Sequence, residues 1–283
     1  MAEASTRILL CTDLDRTLLP NGSQPESPQA RKLLGRLVAR PELTLVYVSG
    51  RHLALLRQAI VDYGIPGPRF AVGDVGSTIY TVEQGDWRPW PEWSRRIAPD
   101  WNGYSGPALA ALFADLSELE LQEPEKQNTF KLSYYTPVHF QRGPVLDRMQ
   151  ARLAEQGVRA SLVWSIDEGA DVGLLDVLPA SANKLHAVRF LMETLGFDQR
   201  HTVFAGDSGN DLAVLTSGLQ AVLVANAHAD VVREARQLLQ AAGGADRLYV
   251  AQGGLLGMNG NYSAGVLEGL VHFVPDARSW LER

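Results

Sequence analysis

The stretch Ile8-Leu9-Leu10-Cys11-Thr12-Asp13-Leu14-Asp15-Arg16-Thr17 decides how the rest of the chain is read. From Arg7 to Thr12 it is apolar and short, as a strand buried on both faces would be. It then breaks into two carboxylates and a polar, turn-forming segment that runs to Ser27. Spacing through Arg31 to Ala39 predicts an amphipathic helix. Leu43 to Val48 repeats the strand, Ser49-Gly50-Arg51 repeats the polar ending, and Leu53, Leu56, Ile60 and Tyr63 return to helical spacing. Phe70–Val72 and Thr78–Val82 are further strand candidates around a Gly-rich turn. After Lys184 the order resumes, with a helix over 185–195, a strand over Thr202–Ala205, a helix over Asp211–Ser217 and a strand over Ala221–Val224. Such alternation predicts an α/β fold, a Rossmann-like doubly wound parallel sheet covered by helices on both faces.

The middle of the chain breaks this rhythm. Trp87, Trp90, Trp93 and Trp101 crowd a Pro-rich entrance, and a helix and strand-like segments follow, over Lys131–Tyr135 and Ser161–Ile166. Residues 84–178 are therefore expected to form a smaller inserted α+β domain, leaving 1–83 and 179–283 as the core. Tryptophans at this density read as the packing of a small domain more readily than as platforms for a sugar.

A chain of 283 residues that is 46% hydrophobic can bury a full core. A net charge of −6 argues against nucleic acid or an anionic membrane surface as partner, so any anionic substrate must be held by local groups. Cys11 is the one cysteine, which removes internal disulfides. No apolar run is long enough to span a bilayer, and the opening residues lack the basic head and cleavage site of a secretory signal, so the expected location is the cytoplasm. His52, His139, His186, His201, His228 and His272 show no metal-ligand spacing, which argues against a zinc site.

In an open parallel sheet, ligands bind beyond the carboxyl ends of the strands. Polar clusters stand at such ends: Asp13-Leu14-Asp15-Arg16-Thr17, Ser49-Gly50-Arg51, Lys184 opening a helix, and Gly206-Asp207-Ser208-Gly209-Asn210-Asp211. Together they offer a nucleophile, an acid, phosphate donors, a cation and a cradle for a metal, which is what phosphoryl transfer to a carboxylate requires. Lys184 is the telling member, because a cation at a helix start opposes the positive end of the helix dipole. Ser49 has an ordinary alternative as a helix N-cap, and Asp211 as a helix-start carboxylate.

These clusters, in this order and setting, resemble the motifs of the haloacid dehalogenase (HAD) superfamily. The resemblance implies that Asp13 attacks phosphorus and that Asp15 protonates the leaving oxygen, then activates the water that hydrolyses the acyl phosphate. It implies Mg²⁺ as cofactor, held by the Asp13 carboxylate, the Asp15 carbonyl and Asp207, with Asp211 supporting the metal through water or orienting Lys184. Thr17, Ser49, Gly50, Lys184, Asn210 and the amides after Asp13 would bind the phosphoryl oxygens. Arg16 would reach the substrate or inserted domain, or simply be solvated.

An insert between the Ser49 and Lys184 motifs resembles the C2-type cap of sugar phosphatases. Within it, Glu125–Tyr134 and Asp171-Val172-Gly173-Leu174-Leu175 are similar to stretches of sucrose-phosphatases, as is Asn261–Phe273 near the C-terminus. By that resemblance the substrate is a small sugar phosphate, sucrose 6-phosphate first, bound by Arg51, Gln127, Asn128, Lys131, Ser133, Tyr134 and Asp171. A glycosyltransferase that makes the phosphorylated disaccharide is the implied partner. Sucrose-phosphatases tend to show Asp-Val-Asp-Leu-Leu-Pro where this chain has Asp171-Val172-Gly173-Leu174-Leu175-Asp176, so the second Asp is missing or displaced. Phosphates of mannosylfructose, glucosylglycerol, mannosylglycerate or trehalose stay open as substrates. A phosphomutase or a non-catalytic sugar-phosphate-binding protein would be the other classes, and the intact Asp13, Asp15, Lys184 and Asp207 argue against the last.

Overall fold

The computed structural model describes residues 7–167 and 169–282. The opening stretch read for a targeting signal begins at Met1, and its residues 1–6 lie outside the described residues. The chain folds as two compact units, one running to Arg88 and resuming at Lys184, the other Pro89–Asn183.

In the larger unit the first half contributes β1 (Ile8–Thr12), α1 (Ala30–Val38), β2 (Leu43–Val48), α2 (Leu53–Tyr63), β3 (Phe70–Gly73), β4 (Thr78–Glu83) and β5 (Asp86–Pro89). The smaller unit carries α3 (Pro91–Ile97), α4 (Gly106–Ala111), β6 (Glu120–Leu121), β7 (Leu132–Thr136), α5 (Arg142–Glu155), β8 (Ala160–Asp167) and β9 (Val172–Pro179). The chain then returns through α6 (Lys184–Leu195), β10 (Thr202–Gly206), α7 (Leu212–Leu215), β11 (Gln220–Leu223), α8 (Ala229–Ala241), β12 (Leu248–Val250), α9 (Ser263–Phe273) and α10 (Ala277–Glu282).

The core sheet has the order β12-β11-β10-β1-β2-β3-β4-β5. It is parallel from β12 through β3. At β4 it turns antiparallel, and Gln84-Gly85, both at positive φ, fold β4 back into β5. Every residue of β1 is buried, as its unbroken apolar run requires. Cys11 lies there fully buried, and burial pushes its thiol far up, so it stays protonated. Successive strands move outward from β1 on one side through β2 and on the other through β10, which makes the gap between the carboxyl ends of β1 and β10 the topological switch point.

The smaller unit is an antiparallel sheet, β6-β7-β9-β8, with Leu132, Tyr134, Leu175 and Val177 turned into a core with Trp101, Phe113, Met149 and Leu153. Trp93 and Trp101 are buried in this unit, whereas Trp87 lies in β5 of the core sheet under Tyr80. The units divide after Arg88 and Asn183, not at 83/84 and 178/179. The β4–β5 hairpin keeps the first junction in the core sheet, and the Ser181 N–H and hydroxyl both bond Asp100, which ties 180–183 to the smaller unit. Among the described residues no helix is long and apolar enough to cross a membrane.

Candidate active site

The switch point assembles the acidic motif residues. Asp13 follows β1 directly; its N–H continues the sheet by donating to Ala205 O at 2.9 Å, and only 4% of the residue is exposed. Asp207 follows β10 in the same way and is also 4% exposed. Asp211 lies one short turn further on and is fully buried. One carboxylate oxygen from each of Asp13, Asp207 and Asp211 lies within 4.8 Å of the others.

Lys184 opens α6 with its Nζ 3.2 Å from Asp13 Oδ1 and 2.7 Å from Asp211 Oδ1. Burial opposes its charge, but the two carboxylates outweigh that and hold the ammonium charged. The remaining oxygen of Asp211 accepts from the N–H groups of Asp207, at 3.2 Å, and Ser208, at 3.4 Å. Asp211 thus fastens Lys184 to the loop that carries Asp207, its two oxygens both engaged. Gly206 makes room for this arrangement, since a Cβ there would stand 2.5 Å from Asp211 Oδ2.

One lysine cannot balance three buried carboxylates. Burial pushes Asp13 up to about 8, with Asp211 adding to the rise and Lys184 opposing it. Burial and Asp211 likewise push Asp207 up to about 6. Arg16, at 3.6 Å from Asp207 and 43% exposed in its side chain, gives partial relief. Converging hard oxygen donors with a shortfall of positive charge fit a divalent cation. Asp13 and Asp207 would hold it, with Asp211 behind them.

Asp15 is set apart from this cluster. Its carboxylate is gripped by Arg51, Nη2 to Oδ1 at 2.6 Å and Nε to Oδ2 at 2.8 Å, and Asn21 donates to Oδ1 at 2.7 Å. Burial alone would raise it, yet the Arg51 guanidinium and Asn21 hold the carboxyl below its usual range. Two carboxylates two positions apart therefore stand in opposite surroundings, one beside a lysine and other acids, one against an arginine.

Several residues expected at phosphate or sugar have hydrogen-bond partners within the protein. Thr17 is fully buried and its hydroxyl donates to Asp207 Oδ1 at 3.1 Å, so it braces the acidic cluster. The Leu14 N–H, an expected phosphate donor, bonds Asp13's own Oδ1 at 2.8 Å. Ser49 Oγ accepts the Arg51 N–H at 3.2 Å, the ordinary turn-capping use, while Gly50 is exposed beside it. Asn210 Oδ1 accepts from Lys184 at 3.2 Å and from Ser208. Arg51, expected at the sugar, pairs with Asp15.

In the smaller unit, Gln127 donates to Gln122 O and Ser133 O and accepts the Ser133 N–H. Ser133 is fully buried against Lys131 and Asp176, Tyr134 belongs to the apolar core, and Asn128 closes a turn on the Phe130 N–H. Lys131 pairs with Asp176 at 3.1 Å. These side chains build the unit's own framework. Asp171 is exposed at a left-handed turn before β9. Asp176, which register places opposite Ser133, is the acidic residue of the Asp171–Asp176 stretch that this framework uses. Asn21 was not among the expected residues; its only sequence signal is the turn-forming Pro20-Asn21-Gly22.

The model of the Sucrose-6F-phosphate phosphohydrolase family matches residues 6–274. The chain belongs to that family. The chain is similar to the following proteins. A protein of Nitrosococcus oceani described as a HAD-like hydrolase is 58% identical over 276 residues, covering 98% of this chain and 74% of that one. The mannosylfructose-phosphate phosphatase of Agrobacterium fabrum is 26% identical over 81% of this chain and 87% of its own length. The crystal structure of a sucrose-phosphatase from Synechocystis, in complex with sucrose and phosphate, superposes with a TM-score of 0.70 at 27% identity, covering 95% of this chain and 98% of that one. As a member of the sucrose-6F-phosphate phosphohydrolase family, this chain is a HAD-type phosphatase.

Proposed function

We propose that this protein hydrolyses sucrose 6-phosphate to sucrose and phosphate in a Mg²⁺-dependent reaction through an aspartyl-phosphate on Asp13. The observation that carries the reading is the placement of Asp13: buried at the switch point, 3.2 Å from the Lys184 ammonium, and converging with Asp207 and Asp211. A carboxylate so placed can approach the phosphorus of a phosphomonoester only if the surrounding charge is made positive. Lys184 contributes one charge, and Mg²⁺ bound by Asp13 and Asp207 would neutralise the phosphoryl oxygens as a Lewis acid.

In this mechanism Asp13 Oδ forms a bond to phosphorus as the bond to the sugar oxygen breaks. Asp15 delivers a proton to that oxygen, then takes one from the water that attacks the acyl phosphate. Bound Mg²⁺ would return Asp13 to the charged form that a nucleophile needs, against the upward push of burial. Lys184 steadies charge on Asp13 and the transferring group, and Asp211 holds Lys184 in place. Sucrose 6-phosphate is favoured by the family match and by the likeness to a sucrose-bound phosphatase. A glycosyltransferase forming the phosphorylated disaccharide would supply it, in the cytoplasm. Mannosylfructose phosphate is the second reading, favoured by the relative named for that substrate.

The test is phosphate release with Mg²⁺ across sucrose 6-phosphate, mannosylfructose phosphate, trehalose 6-phosphate, glucosylglycerol phosphate and simple hexose phosphates, compared as kcat/KM. The expected result is at least a tenfold lead, about 1.4 kcal/mol, for sucrose 6-phosphate. A lead for another compound moves the substrate, and no release from any of them refutes the activity.

A further inference from the structure

A surface asparagine usually spends its amide on water, and Asn21 is exposed. Here both ends are committed to the catalytic loop. Its Oδ1 accepts the Arg16 N–H at 2.7 Å, and its Nδ2 donates to Asp15 Oδ1 at 2.7 Å. Arg16 stands at φ 56, a left-handed conformation that an arginine rarely adopts. Its peptide is clasped from the other side too, since Asn226 Nδ2 donates to the Arg16 carbonyl at 2.6 Å. Asn226 is 5% exposed and accepts the Tyr262 N–H at 2.8 Å, which anchors it to the start of α9. Ser263 adds a bond to Leu18 O at 3.0 Å. The turn after Asp15 is thus held by residues from three places in the sequence, and Asn21 is the one that also touches the carboxylate.

Arg51 grips the same carboxylate, but a guanidinium favours only the charged form. A neutral amide keeps its bond whether or not Asp15 carries the proton. We infer that Asn21 is a positioning residue for Asp15, aiming its proton at the departing sugar oxygen. The inference rests on Asp15 being the acid of the proposed reaction. In that step the Asp13 Oδ–P bond forms, the P–O bond to the sugar breaks with its electron pair passing to the sugar oxygen, and the proton of Asp15 joins that oxygen.

The test exploits leaving groups. A sugar alkoxide needs a proton to depart, whereas p-nitrophenolate does not, and kcat/KM reports only the steps up to that departure. With Mg²⁺ present, kcat/KM is measured for p-nitrophenyl phosphate and for the panel sugar phosphate turned over best, in wild type, Asn21→Ala and Asp15→Asn. Misaiming an acid costs about 10- to 100-fold, so Asn21→Ala is expected to lose that much on the sugar phosphate and less than about threefold on the aryl phosphate. Equal losses on both substrates, or none on either, overturn the inference. Asp15→Asn separates the two levels. If it shows the split and Asn21→Ala does not, the positioning role alone fails; if it shows none, the acid assignment fails with it.

Discussion

Lys184 and Asp13 form a buried pair whose members have opposite value to the fold. Replacing Lys184 by Met leaves Asp13 and Asp211 facing each other without compensation, and breaking such a pair costs about 3–5 kcal/mol. Urea unfolding in EDTA should show that loss, together with loss of turnover. Asp13→Asn should also abolish turnover, yet it removes one of the crowded charges while preserving shape. The metal-free Asn variant is therefore expected to unfold at the same or a higher urea midpoint than wild type. A lower midpoint would mean that Asp13 is stabilising in the charged form, contrary to the upward push that burial gives it.

Among the elements, β9 shows what local sequence leaves hidden. Gly173 pairs with Thr136 of β7, and a Cβ there would come within 2.2 Å of Thr136 Oγ1 and 2.9 Å of Trp164 Nε1. Gly173→Ala should loosen the smaller sheet by about 1–3 kcal/mol, seen as faster amide exchange in β7, β8 and β9, while β1 and β10 keep their protection. The core strands were legible because each is an apolar run that stops at a polar motif, and the motif residues lie beside their own strands. For β9 this logic fails: Gly173, Asp176 and Pro179 interrupt the run, so it reads as loop, although it is central and pairs on both sides. The same limit governs the polar residues of the smaller unit. Ser133 meets Asp176 only through strand pairing 43 positions apart, so spacing cannot distinguish a sugar contact from an internal bond. In the catalytic unit the acids were legible by type and order, but the grip of Arg51 on Asp15 and the bracing of Asp207 by Thr17 were not, because both join distant segments.

For the molecule as a whole, the crowded acids make stability depend on pH and metal together. The carboxyls of Asp13 and Asp207 are raised in the folded state, from 3.8 to about 8 and about 6, so the folded protein holds protons that the unfolded chain releases. Their contribution is full below about pH 4 and is lost as pH climbs through 6 and 8. Bound Mg²⁺ would replace those protons. The rise in Tm on adding Mg²⁺ is thus expected to grow between pH 5.5 and pH 8, and a rise that is flat or shrinks with pH would place the cation elsewhere. The strand that aims Asp13 has a practical corollary of a different kind. Its Cys11 is the chain's one thiol, sealed in the sheet and locked in its protonated form, which leaves the surface without a reactive sulfur. Any cysteine engineered onto the exterior would be the group that maleimide dyes find first, so fluorescent or spin probes can be attached one at a time without stripping the native sequence beforehand.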